Sequence, residues 1–199
     1  MLFLFLLLVL AATAAGVWFQ GLWSAAVTVV NMLLAMIVAT SFYEPVCTAV
    51  EKIGAAATYT YLLDFIVLWL LFGITFGILR TITDMVASKP MKFDMPVEMA
   101  GRSVLALFCG WLMVCFVTFS LHMAPLNAEK PLGAFDTPSS KSFLAFAPDK
   151  MWLGFMYSRS KPGALGGNQF DPNGDFPLRY HHRRQKFAEP NTNLRFQRS

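Results

Sequence analysis

Asp64 and His122 are ionisable residues inside long apolar runs, where such side chains mark function by default. Asp64 falls about one turn into the run "TYTYLLDFIVLWLLFGITFGIL", and His122 falls at the last turn of "SVLALFCGWLMVCFVTFSLHM". If both runs are antiparallel helices, the two side chains approach the same membrane face. A pair there could relay protons or bind a cation. Alternatively each reaches the interface alone, with Asp64 favoured by the positive end of its helix.

Other residues suggest packing rather than chemistry. Gly73 and Gly77 form a GxxxG step, which lets two helix backbones approach closely. Ala35 with Ala39, and Ala106 with Gly110, make similar small ridges. These pack helices within one chain or form the seam of a homo-oligomer. Asn31, mid-run, needs a hydrogen-bond partner, and a backbone carbonyl or Thr75 across the bundle is expected. His181, His182, Arg183 and Arg184 form a basic cluster that is either simply solvated or contacts an acidic partner.

No nucleophile–base set, phosphate loop, dinucleotide fingerprint, metal-ligand cluster or cofactor motif is found, so no enzyme is expected. The "DPNGD" stretch fails as a calcium loop, because its glycine stands fourth rather than sixth and its twelfth position is His182 rather than Glu. Cys47, Cys109 and Cys115 lack disulfide or zinc spacing and read as small apolar side chains. The basic residues are too scattered for nucleic-acid binding.

The elements that must position these residues follow from composition. The 199 residues are 56% hydrophobic and 14% charged, with mean hydropathy +0.51. Soluble domains carry about 25% charged residues. Residues 2–43 contain no charge. As one helix they would measure roughly 63 Å, twice the ~30 Å hydrocarbon core. A hairpin resolves this, with its turn at Gly16, Gln20 and Gly21 beside Trp18 and Trp23. Ala12-Thr13-Ala14 resembles a signal-peptidase site, but no Lys or Arg precedes the apolar run, so the segment reads as a retained helix.

The expectation is an all-α membrane protein with four transmembrane helices at about 2–18, 22–43, 59–80 and 103–123. Glu44-Pro45 ends the second, Pro90 and Pro96 interrupt the connection before the fourth, and Pro125 stops the fourth. Residues 1–125 form the membrane domain. Residues 126–199, rich in Pro and Gly, form a mostly irregular basic tail with eleven of the sixteen Lys and Arg. One short helix is expected around "DKMWLGFMYS", with Trp152, Phe155 and Met156 on one side. Lys89 and Lys92, bounded by Arg80 and Arg102, put the third connection in the cytoplasm, which leaves both termini outside.

The stretch Gly16-Val17-Trp18-Phe19-Gln20-Gly21-Leu22, the exit "SFYEPVCTAV", and Glu98, Ala106 and Gly110 ahead of and within the fourth span together resemble the colicin V production protein family over about residues 1–125. Gln20 stands where that family usually has Arg, and Cys109 where Arg often precedes the last glycine. The resemblance implies a multi-pass protein of the bacterial inner membrane, linked to bacteriocin production and envelope maintenance, with no agreed chemical activity. The expected role is a non-enzymatic scaffold or accessory subunit, in the lipid bilayer with a membrane-protein partner or as a homo-oligomer. The alternative is a small transporter or channel subunit using Asp64 and His122.

Overall fold

The computed structural model describes residues 2–52, 60–87, 91, 93–124, 147–161, 170–171 and 173–188, with backbone alone at 60–61 and 183–188. Among these residues every regular element is helical: α1 (Leu2–Trp18), α2 (Leu22–Lys52), α3 (Thr60–Val86), α4 (Met95–Met123), α5 (Pro148–Arg159) and α6 (Phe176–Ala188). Three helices are long and apolar enough to cross a membrane: α2, α3 from Leu62 onward, and α4. α1 is as apolar but has 17 residues, about 26 Å of helix.

α4 is the axis of the bundle. α1 and α2 pack along it, α3 packs chiefly on α2, and α5 and α6 close on its C-terminal half. The α1–α4 seam is tight because Gly110 has no side chain. A Cβ there would lie 2.9 Å from the Leu10 carbonyl oxygen and 3.5 Å from Ala14 Cβ. Ala106 lies in the same seam side of α4, and Ala35 and Ala39 are fully buried on α2. Leu2 and Leu6 add a smaller apolar cluster with Val114 and Val117.

Gly73 and Gly77 behave differently. Both are exposed, and an added Cβ at either would meet nothing within 4 Å. Among the described residues they pack against no other helix. Of the two roles expected for them, packing within the chain finds no contact among the described residues, because α2 and α4 approach the opposite face of α3, that of Val67, Leu68 and Phe72.

Several helix ends also differ from expectation. α2 runs through Pro45 to Lys52. Proline removes one backbone donor, but Tyr43 and Cys47 on either side are buried in the core and hold the helix on course. At 31 residues α2 is about 46 Å long, so its last turns extend beyond a ~30 Å hydrocarbon layer. Pro96 opens α4 rather than interrupting it, because the first turn of a helix needs no proline N–H. Gly16 lies within α1, and the turn itself is Phe19-Gln20-Gly21.

The described part of the tail packs on the membrane domain. Two helices form in it, and Trp152, Met156, Phe176 and Tyr180 join the main core. α5 is the expected short helix, with Trp152 and Met156 buried and Phe155 packed against the core. The "DPNGD" stretch is a capping turn for α6. The Asp171 carboxylate accepts from the N–H groups of Asp175 and Phe176 at 3.0–3.2 Å, and Gly174 takes φ +66°.

Gly110→Val forces a side chain into the Leu10 carbonyl, and overpacking of this kind costs about 1–3 kcal/mol. Gly77→Val on the open face should stay within about 0.5 kcal/mol of wild type. Denaturant unfolding of the two purified variants in one detergent measures the contrast.

Candidate functional site

The polar side chains gather at the two ends of the bundle. Antiparallel α1–α4 packing puts the α1–α2 turn, the end of α3 and the start of α4 together at one end. The opposite end gathers the end of α2, the start of α3 and the end of α4, and there the tail helices dock.

At the turn end Arg80 acts as a hub. Its guanidinium donates to Thr28 Oγ1 at 2.8 Å, Ser24 Oγ at 2.9 Å and Asp84 Oδ2 at 3.0 Å, with a longer contact to Gln20 Oε1 at 3.5 Å. Gln20 Oε1 also accepts from Ser24 and Thr28 at 3.1 and 3.0 Å. A cation from α3 thus fastens onto the turn and the first two turns of α2. Glu98 of α4 fastens the turn from the other side by accepting the Leu22 backbone N–H at 2.8 Å. That N–H begins α2 and has no partner inside the helix, and a carboxylate suits its positive end. Gly21, at φ +83°, is required twice over. Its backbone is left-handed, and a Cβ would sit 3.2 Å from Glu98 Oε1. Trp18 donates to Ser103 Oγ at 3.1 Å, and the Arg102 guanidinium lies 4.0 Å over its ring.

Asn31 is buried as expected but its partner is Thr83, at 2.8 Å, not Thr75. Asn31 and Thr83 lie at matching distances from the α2–α3 connection. Thr75 falls about six residues nearer it, roughly 9 Å along the axis.

At the tail-capped end Asp64 and His122 are both buried, at 2% and 5% exposure. Each makes a hydrogen bond to a tail helix. Asp64 Oδ2 accepts from the Tyr180 hydroxyl of α6 at 3.0 Å. His122 Nε2 contacts Asp149 Oδ2 of α5 at 3.2 Å. The two bonds go to different tail helices, α6 for Asp64 and α5 for His122. Trp152 of α5 donates to Thr40 Oγ1 of α2 at 3.2 Å. Tyr43 donates to Glu44 at 2.9 Å.

Arg179 extends this network towards the surface. It lies 2.9 Å from Asp175, 3.6 Å from Asp171 and 3.9 Å from Glu44. Burial works against its charge, but the acidic groups around it, Asp175 first, outweigh that and raise its pKa. Burial likewise presses the Asp149 carboxyl upward. The hydrogen bond and charge of His122, with nearby backbone N–H groups, outweigh it and hold the group below its ordinary 3.8. Burial raises Asp171, against the N–H of Phe176.

Of the expected tail cluster, His181 and His182 lie on α6, half-buried and exposed respectively, and Arg183 and Arg184 continue the helix. Cys47, Cys109 and Cys115 are buried free thiols. Among the described residues no group of His, Cys, Asp and Glu is arranged to hold a metal ion. Sequence reasoning missed Tyr43, Glu44, Asp149, Arg179 and Tyr180. A signal existed for α6: Asp171 and Asp175 ahead of Pro177, with Phe176 and Tyr180 one turn apart. The same chain matches no protein-family model, no curated protein and no solved structure.

A carboxylate with a depressed pKa stabilises the fold fully above its unfolded value and loses that contribution as pH falls through its folded value. Docking of α5 should therefore hold at neutral pH and weaken as pH drops below 3.8. Asp149→Asn should weaken docking at neutral pH by about 1–3 kcal/mol and flatten the acid dependence. Limited proteolysis of the tail across pH reads both. His122→Ala strands the Asp149 carboxylate in the core and should cost about 3 kcal/mol or more, read as loss of tail protection at neutral pH.

Proposed function

We propose that the chain is a four-span, non-enzymatic scaffold or accessory subunit of the colicin V production type. It would sit in the bacterial inner membrane with both termini outside, serving envelope maintenance or bacteriocin export. α1 is the fourth span, shorter than the others and carried by α4.

One observation carries this reading: Glu98 holds the N–H of Leu22. Two separate stretches behind the resemblance, the Gly-bounded first turn and the acidic residue ahead of the last span, meet in one hydrogen bond. Arg80 from α3 supplies the cation at a turn where Gln20 stands in place of the arginine of that family. The polar residues are engaged in fastening helices, as suits a scaffold. A transporter using Asp64 and His122 fits less well, because both side chains help to seat the docked tail helices.

A scaffold engages other membrane proteins. Mild crosslinking in native membranes followed by purification should give a stoichiometric complex with a second membrane protein or a second copy. A solitary monomer across crosslinker lengths would reject the reading. Reporters active on only one side of the membrane, fused after Ser199, should signal outside. Glu98→Gln keeps the shape but weakens the contact, and should lower recovery of the complex several-fold.

A further inference from the structure

α5 has two sides of opposite character. Its inner side carries Asp149, Trp152 and Met156, all buried. Its outer side carries Lys150, Met151, Gly154 and Tyr157, which helical spacing places together and which are all exposed. Met151 is 50% exposed and Tyr157 38%. Arg159 and Lys161 follow at the end of the helix, both exposed, and the Lys161 ammonium lies 5.1 Å over the Tyr157 ring.

The exposed charge of α5 is of one sign. From Lys150 to Phe170 the sequence holds Lys150, Arg159 and Lys161 and no acidic residue. The acidic groups on either side are already engaged. Asp149 turns inward to His122 at 3.2 Å, and Asp171 and Asp175 flank Arg179 on α6. Among the described residues none of the three α5 cations is held in an ion pair.

The depth at which α5 is seated decides what meets these cations. Trp152 donates to Thr40 of α2 at 3.2 Å, and its ring meets Phe116 of α4 at 6.0 Å. Thr40 falls inside the uncharged run of α2. Phe116 lies two turns, about 10 Å, before Met123 ends α4. α5 therefore lies beside the ends of the apolar helices rather than beyond them, at the level where hydrocarbon gives way to headgroups. There an exposed Met151, the Tyr157 ring and the lysine stems meet acyl chains, while ammonium and guanidinium heads reach phosphate.

We propose that the exposed side of α5, through Lys150, Arg159 and Lys161, binds the phosphate headgroups of anionic phospholipids in the surrounding bilayer. This binding requires only that the chain is embedded in a membrane, and not the scaffold role. Trp152 and Met156 hold α5 to the bundle from inside, and the headgroups hold it from outside.

The test places the full chain in nanodiscs of equimolar phosphatidylcholine and phosphatidylglycerol and identifies the lipids retained with it by native mass spectrometry. The retained lipid should be enriched several-fold in phosphatidylglycerol. Each cation near an anionic surface is worth about a five-fold gain in binding, so Lys150→Gln, Arg159→Gln and Lys161→Gln together should return the ratio to that of the bulk nanodisc. Chymotrypsin protection of the tail in pure phosphatidylcholine shows whether the triple variant keeps α5 docked. If it does not, the three single variants carry the test, and each should lower the enrichment by up to that factor. Retained lipid at the bulk ratio in the wild type, or enrichment unchanged by the substitutions, overturns the proposal. So does a result in which the cations are needed only to capture a protein partner, which would assign them to an acidic protein surface. A chain that fails to enter nanodiscs at all would instead overturn the membrane reading beneath it.

Discussion

A polar group left bare in an apolar helix bundle costs several kcal/mol, and that cost organises both ends of this protein. Asn31, Thr40, Asp64 and His122 all lie within or at the ends of apolar helices and are at most 5% exposed. Each finds a partner on another element: Thr83, Trp152, Tyr180 and Asp149. These pairs fix which helix sits beside which, and at what height. Each pair joins two elements at one height, so the pairs act as registry pins rather than as the main source of cohesion.

Cohesion comes from apolar contact. The tail sits on an aromatic surface of α4, where Phe119 stacks on Phe176 at 4.9 Å between ring centroids and Phe116 meets Trp152 edge-on at 6.0 Å. Burying a side chain such as Met156 or Phe176 contributes about 1.5–3 kcal/mol, whereas a net hydrogen bond contributes about 1 kcal/mol. The apolar anchors therefore decide that the tail docks, and the polar pairs decide where. The length of α2 contributes, since Tyr43 and Cys47 on its second half are buried in the same core as the tail's Trp152 and Phe176.

α3 shows the opposite balance. Leu62, Ile66, Leu70, Ile74, Ile78, Ile82 and Val86 recur every fourth residue, and all are exposed. Such a ridge suits a lipid environment, where apolar side chains gain nothing by hiding from one another. Gly73 and Gly77 lie on the same open side. Only the other face of α3 and its polar end, through Arg80 and Thr83, tie it to the rest of the bundle.

Much of this was legible in the amino-acid sequence. Apolar runs determined the helical class and the positions of α1 to α4, because a span must satisfy its own backbone and must match the bilayer in length. The buried Ala35, Ala39, Ala106 and Gly110 followed from small-residue spacing, and the α5 face from Trp152 and Met156 one turn apart. The tertiary structure alone decided the partners. Asp64 and His122 bond Tyr180 and Asp149, more than 25 residues away in sequence. Spacing along a helix gives the height and face of a residue to within a turn. It carries no information about which distant segment packs there, because that choice is made by shape and apolar contact summed over the whole interface.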